Sequence, residues 1–485
     1  MTYSLRKSGV YAGAMPGLDI TGIAGLLGVS RPRVWQLRKQ PGFPAPSGVD
    51  GKGRDYWWEP VILRWAAGSG RLADRAPLLF RPVEPGPAAR YFGVEVVRGD
   101  AVLSWDTQLG RVCMHFPSTG SQRRPDPDSL DADAVVSVLW TEDAGGPELE
   151  ARDAAHPDRE YEPAWTDLAR ILGTPAPWWQ VSLRRTADMA LWKPGARPAI
   201  IRPIPDVDTT PLLQLAATEP DGTSSRATLT NLARHIQARS DQWTWNDIKD
   251  IDSWGDRDAI AVAAMPSPAT AEPGELDEAI RRDGWLTILA QADSLAIQCV
   301  QVALQNDGGR DFPFSTLAQF TPDDGSELAA EFAGRLEPCE RTAASALFAD
   351  DMIAETLTDP QTGLPAARSS GGTLRAAIPQ RLPATAPLAE VTLDHGGHVW
   401  IRTADGNLWL APEQAGTGLS WGYNGSGPVA LAILLGLLLD DINAAAPRGY
   451  RYPQSPGLLA GTRKTWRTGC TLTRAELEAA RRNGS

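Results

Sequence analysis

Lysine is almost missing from this chain: six residues in 485, against 41 arginines. Histidine (five) and cysteine (four) are equally scarce, and these scarcities remove several function classes before any motif is considered. Cys113, Cys299, Cys339 and Cys470 lie far apart, which rules out a disulfide scaffold and a CxxC metal site. No apolar run reaches the ~18 residues needed to span a bilayer. The longest, Val429–Leu439, has eleven. No apolar stretch follows Arg6 and Lys7, so no secretory signal is expected and the chain reads as soluble and cytoplasmic. GxSxG, HExxH and P-loop sequences are missing, and no acidic group has nuclease spacing. No catalytic residue, metal site or cofactor is therefore assigned, and an enzyme is not the leading expectation. The arginine excess is no nucleic-acid signal by itself: with Ala, Gly and Pro also plentiful, it is what a GC-rich genome produces.

What is present points to several folded parts. At roughly 100–200 residues per domain, 485 residues predict three or four domains. Apolar residues make up 42%, enough for several cores, while Gly (46) and Pro (40) together stay below the ~25–30% at which disorder becomes the default. The net charge of −12 is unevenly placed. Residues 1–75 hold eleven Lys/Arg against five acids, whereas the remaining residues carry a balance of −18. One basic end on an acidic chain suggests a local nucleic-acid footprint.

That basic end has a specific pattern. Asp19 is placed to cap a helix with Ile20, Ile23, Ala24 and Leu27 on one face. Gly28 ends it, as a left-handed glycine does. Ser30 is placed to cap a second helix, about Arg31 to Lys39, whose Val34 and Leu37 point back at the first. Ala24, Gly28 and Val34 form the packing skeleton of a helix-turn-helix: a small contact residue, a turn glycine and a branched lock. Gly42-Phe43-Pro44-Ala45-Pro46 then breaks the chain, Ser47–Tyr56 has the glycines of a short hairpin, and Trp57-Trp58-Glu59-Pro60 leads into a third helix.

This stretch, about residues 18–68, resembles the winged helix-turn-helix of the phage-excisionase group, within the mercury-resistance-regulator superfamily. The likeness rests on Ile23–Arg31 (IAGLLGVSR), Phe43–Pro46 (FPAP) and Arg54-Asp55-Tyr56-Trp57 before the closing helix. It implies a recognition helix that presents Ser30, Arg31, Arg33 and Gln36 to base edges, Arg to guanine and Gln to adenine. It also places Arg38, Lys39, Lys52 and Arg54 at the helix end and wing tip, where phosphates are contacted. Pro32 departs from the pattern by replacing a residue that often contacts DNA. Trp35 fits either a packed or a groove-facing position.

Beyond the domain at 1–75, the expected organisation is a Pro-rich linker at 76–90, a mixed α+β region at 91–262, a mainly helical region at 276–357 and a C-terminal α+β domain at 388–485. Two more linkers are expected at Ala263–Glu275 and Thr358–Pro387. The fold class is thus α+β multidomain. Tyr91–Val97, Ala101–Trp105 and Val112–Phe116 read as a small antiparallel sheet with Arg98-Gly99-Asp100 as a turn, and Ala199–Arg202 as a buried strand. Leu168–Thr174 echoes the cadence of Ile23–Val29, but Pro175 and Pro177 favour a helix end followed by a loop. Eighteen tryptophans form clusters such as Trp178-Trp179 and Trp243/Trp245/Trp254; the acids around the last favour a core over a stacking platform. His395 and His398 beside Asp394 lack a fourth metal ligand and read as a glycine-rich hairpin turn. Near the C-terminus, Trp421–Pro428 (WGYNGSGP) feeds the apolar helix Val429–Leu439. Residues 390–480 resemble small uncharacterised prokaryotic domains with a WGYGGSGP signature, a likeness that implies architecture without activity. Asn424 replaces a glycine of that signature, and the loop Gly422–Gly427 has no assigned role.

The expected function is sequence-specific binding of double-stranded DNA, by a transcriptional regulator or a mobile-element accessory factor. A single half-site binds modestly, so a homodimer is expected. The alternatives are a DNA-targeted enzyme of unknown reaction and an assembly protein using the same fold for protein contacts.

Overall fold

The computed structural model describes residues 17–482, apart from 73–74, 85, 119–120, 122, 141–146, 269–270, 272, 308–310, 322–324, 349–352, 415–416 and 451–454. The chain is a mixed α+β protein of two compact units. Among the described residues, the first comprises 17–206 with 238–271, and the second 207–237 with 273–482.

The first unit begins with helix α1, Ile20–Leu27. The Asp19 carboxylate accepts the Thr21 and Gly22 N–H groups at 2.8 Å each, and Gly28 ends the helix at φ +63°. Helix α2 is Arg31–Arg38. Ser30 holds the N-cap position, but its hydroxyl makes no capping bond, contrary to expectation. The reason is local: Pro32 offers no N–H, and the Arg33 N–H is already taken by the Ser30 carbonyl at 2.9 Å. Val34 and Leu37 are buried, and Val34 joins Ile23, Ala24, Trp57 and Ile62 in one small core.

Strands β1 (Gly48–Val49) and β2 (Asp55–Tyr56) pair antiparallel, with Gly48 opposite Tyr56. A Cβ on Gly48 would lie 2.6 Å from the Tyr56 hydroxyl, so a side chain there would displace the Tyr56 ring. Helix α3, Glu59–Gly68, follows with Pro60 in its first turn. The FPAP turn is fastened from within. Phe43 meets the Trp57 and Trp65 rings edge-on at 6.1 and 4.7 Å, and the Trp57 indole donates to the Pro44 carbonyl at 3.0 Å.

The rest of this unit is a six-stranded sheet. Its strands are β3 (Arg90–Val97), β4 (Asp100–Thr107), β5 (Gly110–Phe116), β6 (Ala134–Trp140), β7 (Pro147–Asp153) and β8 (His156–Tyr161), in sequential order. All neighbours are antiparallel except β5 and β6. Arg98 and Gly99 take positive φ in the expected β3–β4 turn. Helix α4, Trp165–Leu172, packs on the sheet with Trp178 and Trp179, which are core residues. Gly173 stops α4, and Ala176–Trp178 continues as a strand beside Ile260–Val262.

The expected linkers differ from the structure in one way: apolar residues between the prolines find partners. At 76–90, Leu78–Phe80 form a buried 3₁₀ turn, and the Leu78 N–H is taken by Asp153. Ala264–Pro266 pairs in parallel with Ala199–Ile201, where Ile201 is buried and Ile200 is exposed rather than buried. Within Thr358–Pro387, Pro365–Ser369 and Leu374–Pro379 are strands.

In the second unit, those two strands join Phe314–Phe320, Ile353–Thr358 and Glu337–Pro338 in a five-stranded antiparallel sheet. The 276–357 segment is therefore helical only in part, mainly Glu278–Leu289 and Ser294–Asp307. A four-stranded sheet of Leu408–Leu410, Val399–Thr403, Leu388–Leu393 and Thr471–Thr473 packs with Ser426–Asp440, the buried helix after the glycine loop. Among the described residues no helix is long and apolar enough to cross a membrane.

Candidate nucleic-acid interface

Of the eight side chains singled out from the sequence, Ser30, Arg31, Arg33, Gln36, Lys39, Lys52 and Arg54 are exposed, and Arg38 is half-buried. They divide into two chemical groups. Arg38 and Arg54 are occupied within the protein. Arg38 pairs with Asp55 at 2.8 Å and lies 4.8 Å from both the Trp35 and Trp57 rings, so it fastens α2 to β2. Arg54 pairs with Asp50 at 2.8 Å across the β1–β2 turn. Asp50 also accepts the Lys52 and Arg54 N–H groups at 2.8 and 2.9 Å. Its carboxyl sits below the usual carboxylate range, chiefly because of the Arg54 N–H.

Arg31, Arg33, Lys39 and Lys52 make no ion pair among the described residues. Arg33 donates instead to the neutral Gln36 Oε1 at 2.8 Å, which leaves the Gln36 amide nitrogen free of that bond. Because the two nearby acids, Asp50 and Asp55, are already paired, the surface carries uncompensated positive charge. Helix geometry then orders it. With Val34 and Leu37 inward and 100° between residues, Pro32, Trp35, Gln36 and Lys39 point outward, while Arg31 and Arg33 flank them. Trp35 is 53% exposed. Counting from the buried pair would have found Trp35 and Pro32 in the sequence.

Helix α3 carries this surface. Its Leu63 and Ala66 pack with Leu72, Phe80 and the half-buried Tyr161, Arg64 pairs with the buried Asp167, and Glu59 pairs with Arg159. The basic segment is therefore docked through α3 on β8 and α4 of its own unit.

In the sheet, the His115 ring bonds Ser137 Oγ through Nδ1 (3.0 Å) and Asp100 through Nε2 (3.1 Å), a Ser-His-Asp chain. Asp100 only accepts, so Nε2 carries the proton and Nδ1 accepts from Ser137. His115 is fully buried and Asp100 is 1% exposed, which leaves Ser137 no route to a substrate. Arg184, buried without a carboxylate partner among the described residues, donates to the Trp179 and Pro117 carbonyls at 3.2 and 3.4 Å, and burial pulls it down to about 9. His398 Nε2 donates to the Gln319 carbonyl at 3.1 Å, and no metal-ligand cluster occurs among the described residues. A cavity of about 200 Å³ in the second unit, lined by Leu286, Leu289, Cys339 and Phe348, has Glu340 as its one carboxylate and so gathers no acid pair. Compared with protein-family models, curated proteins and solved structures, the chain matches none.

Proposed function

We propose that residues 18–68 form a winged helix-turn-helix that binds double-stranded DNA in a sequence-specific way. In this reading α2 enters the major groove and the β1–β2 turn is the wing. Arg31, Arg33 and Gln36 meet base edges, while Lys39 and Lys52 meet phosphates. The observation that carries it is the exposed row of unpaired cations on α2 and the adjoining turn, beside acids already neutralised by Arg38 and Arg54. A fold used for protein contacts would more naturally enclose those cations. The protein would then act as a transcriptional regulator or mobile-element accessory factor, as a homodimer on paired half-sites.

The test is selection from random duplexes with the full chain, followed by a salt series on the enriched sequence. The two cations assigned to phosphates, Lys39 and Lys52, predict log K falling against log salt with a slope of about −1.8, at ~0.9 per phosphate. Replacing Arg31 and Arg33 together by Ala should remove the preference at the base pairs those two arginines read. A slope near zero, or an enriched sequence unchanged in that variant, would refute the assignment.

A further inference from the structure

The centre of the outward row on α2 is not charged. It is Trp35, 53% exposed, with the exposed Pro32 beside it. Its indole is held in place rather than loose: the Arg38 guanidinium lies 4.8 Å from its ring, and Arg38 is itself fixed by Asp55 and Trp57. One helical turn before Trp35 stands Arg31, and one turn after it Lys39, both exposed and without an ion pair among the described residues. An apolar ring between two free cations fits a polyanion that offers an apolar spot at the same place. On the major-groove edge of DNA, the one apolar group is the 5-methyl of thymine.

We infer that Trp35, with Pro32, reads thymine methyl groups in the major groove; this rests on the reading of α2 as the groove-entering helix. Gln36 completes the recognition. Arg33 holds its Oε1 at 2.8 Å and so orients the amide, whose nitrogen is then placed to donate to N7 of the adenine paired with that thymine. The preferred site would contain A·T pairs at the centre of each half-site, flanked by contacts from Arg31 and Arg33.

The experiment uses the full chain and the duplex enriched from a random pool, resynthesised with uracil in place of each thymine in turn. Uracil lacks only the methyl. At the read positions wild type should bind the uracil duplex about four-fold more weakly per methyl, the worth of one buried methyl group. Trp35→Ala should bind thymine and uracil duplexes equally, whereas Trp35→Leu, which keeps an apolar surface, should retain part of the discrimination. Unchanged circular dichroism and melting of both variants show that the fold survives. Equal affinity of wild type for both duplexes, with the salt slope and the Arg31/Arg33 dependence intact, overturns this inference and leaves the DNA reading standing. Discrimination fully kept in Trp35→Ala overturns it too. No enrichment of any duplex overturns the DNA reading, and this inference with it.

Discussion

Replacing Asp100 by Asn should destabilise the first unit by about 3–5 kcal/mol, the cost of breaking a buried charge pair. Every neighbour of this carboxylate is a donor. One oxygen accepts the Ser118 N–H and hydroxyl, both at 2.9 Å; the other accepts His115 at 3.1 Å, Ser121 at 3.3 Å and Arg123 at 3.0 Å. An asparagine that keeps its oxygen toward Ser118 turns its NH₂ toward three donors. Burial alone would push the Asp100 carboxyl up, but the Ser118 and His115 bonds outweigh it and hold it low, so the wild-type group contributes stability that is present above the ordinary carboxylate range. Urea unfolding followed by tryptophan fluorescence is a direct assay, since Trp105, Trp178 and Trp179 lie in the same unit's core. At a slope of ~3 kcal/mol/M, the midpoint of that unit's transition should fall by roughly 1–2 M while the other unit's transition stays put. A second signature comes from pH. Burial depresses His115 below its ordinary value, with Asp100 pulling part of the way back. The unfolded chain therefore takes the proton first, and wild-type stability falls as pH drops below about 6.5, at most ~1.4 kcal/mol per pH unit for one proton. Without the carboxylate, His115 resists protonation further, so the loss should continue to lower pH in the variant. A midpoint change below roughly 0.3 M, or a variant with wild-type acid sensitivity, would refute the hub as drawn.

Asp55→Asn should release Arg38 from its pair and steepen the salt slope of DNA binding by about 0.9, from near −1.8 to near −2.7, read by anisotropy across a salt series. Gly48→Ala should cost about 1–3 kcal/mol through the clash with Tyr56, whereas Gly51→Ala, with open space around it, should stay within ~0.5 kcal/mol in thermal melts. Arg64→Ala strips Asp167, which is 4% exposed, of its main partner; a loss toward the low end of ~3–5 kcal/mol is expected, because Arg64 is itself partly in water. Burial already pushes Asp167 up against the pull of Arg64, so this loss should shrink as falling pH protonates the carboxyl.

The basic head was legible because its local signals agree with one another. The Asp19 cap, the left-handed Gly28 and the inward pair Val34 and Leu37 each define the same two helices. FPAP marks a turn that Phe43 and Trp57 then fasten. Elsewhere proline and glycine spoke louder than the apolar residues between them. Leu78 and Leu79 read as part of a linker because the sheet that buries them is assembled from residues far along the chain. Pro365–Ser369 and Leu374–Pro379 are rich in alanine, which carries little strand preference, so only their pairing reveals them. The hub at Asp100 had no local signature at all. Its His115 and Ser137 are 22 residues apart and meet only because β5 and β6 pair in parallel, in the register that sets one opposite the other.

The placement of α3 ties these parts into one mechanical argument. Ile62 and Trp65 pack with α1, the FPAP turn and the Trp57 ring, while Leu63 and Ala66 pack with Tyr161 of β8 and Arg64 and Glu59 pair with Asp167 and Arg159. A head on a free linker would lose orientational freedom each time it bound, a cost that a head already docked has largely met on folding. Docking also spends the inward charges of the segment internally: Arg64 on Asp167 and Glu59 on Arg159, as Arg38 and Arg54 are spent on Asp55 and Asp50. Among the cations left without an ion pair are those on the outer row of α2 and Lys52 at the turn. On a chain of net charge −12, the proposed reading would have that surface steer a polyanion toward α2. Rigid docking and selective neutralisation thus act together, the first fixing where α2 points and the second fixing which side chains an approaching duplex would meet.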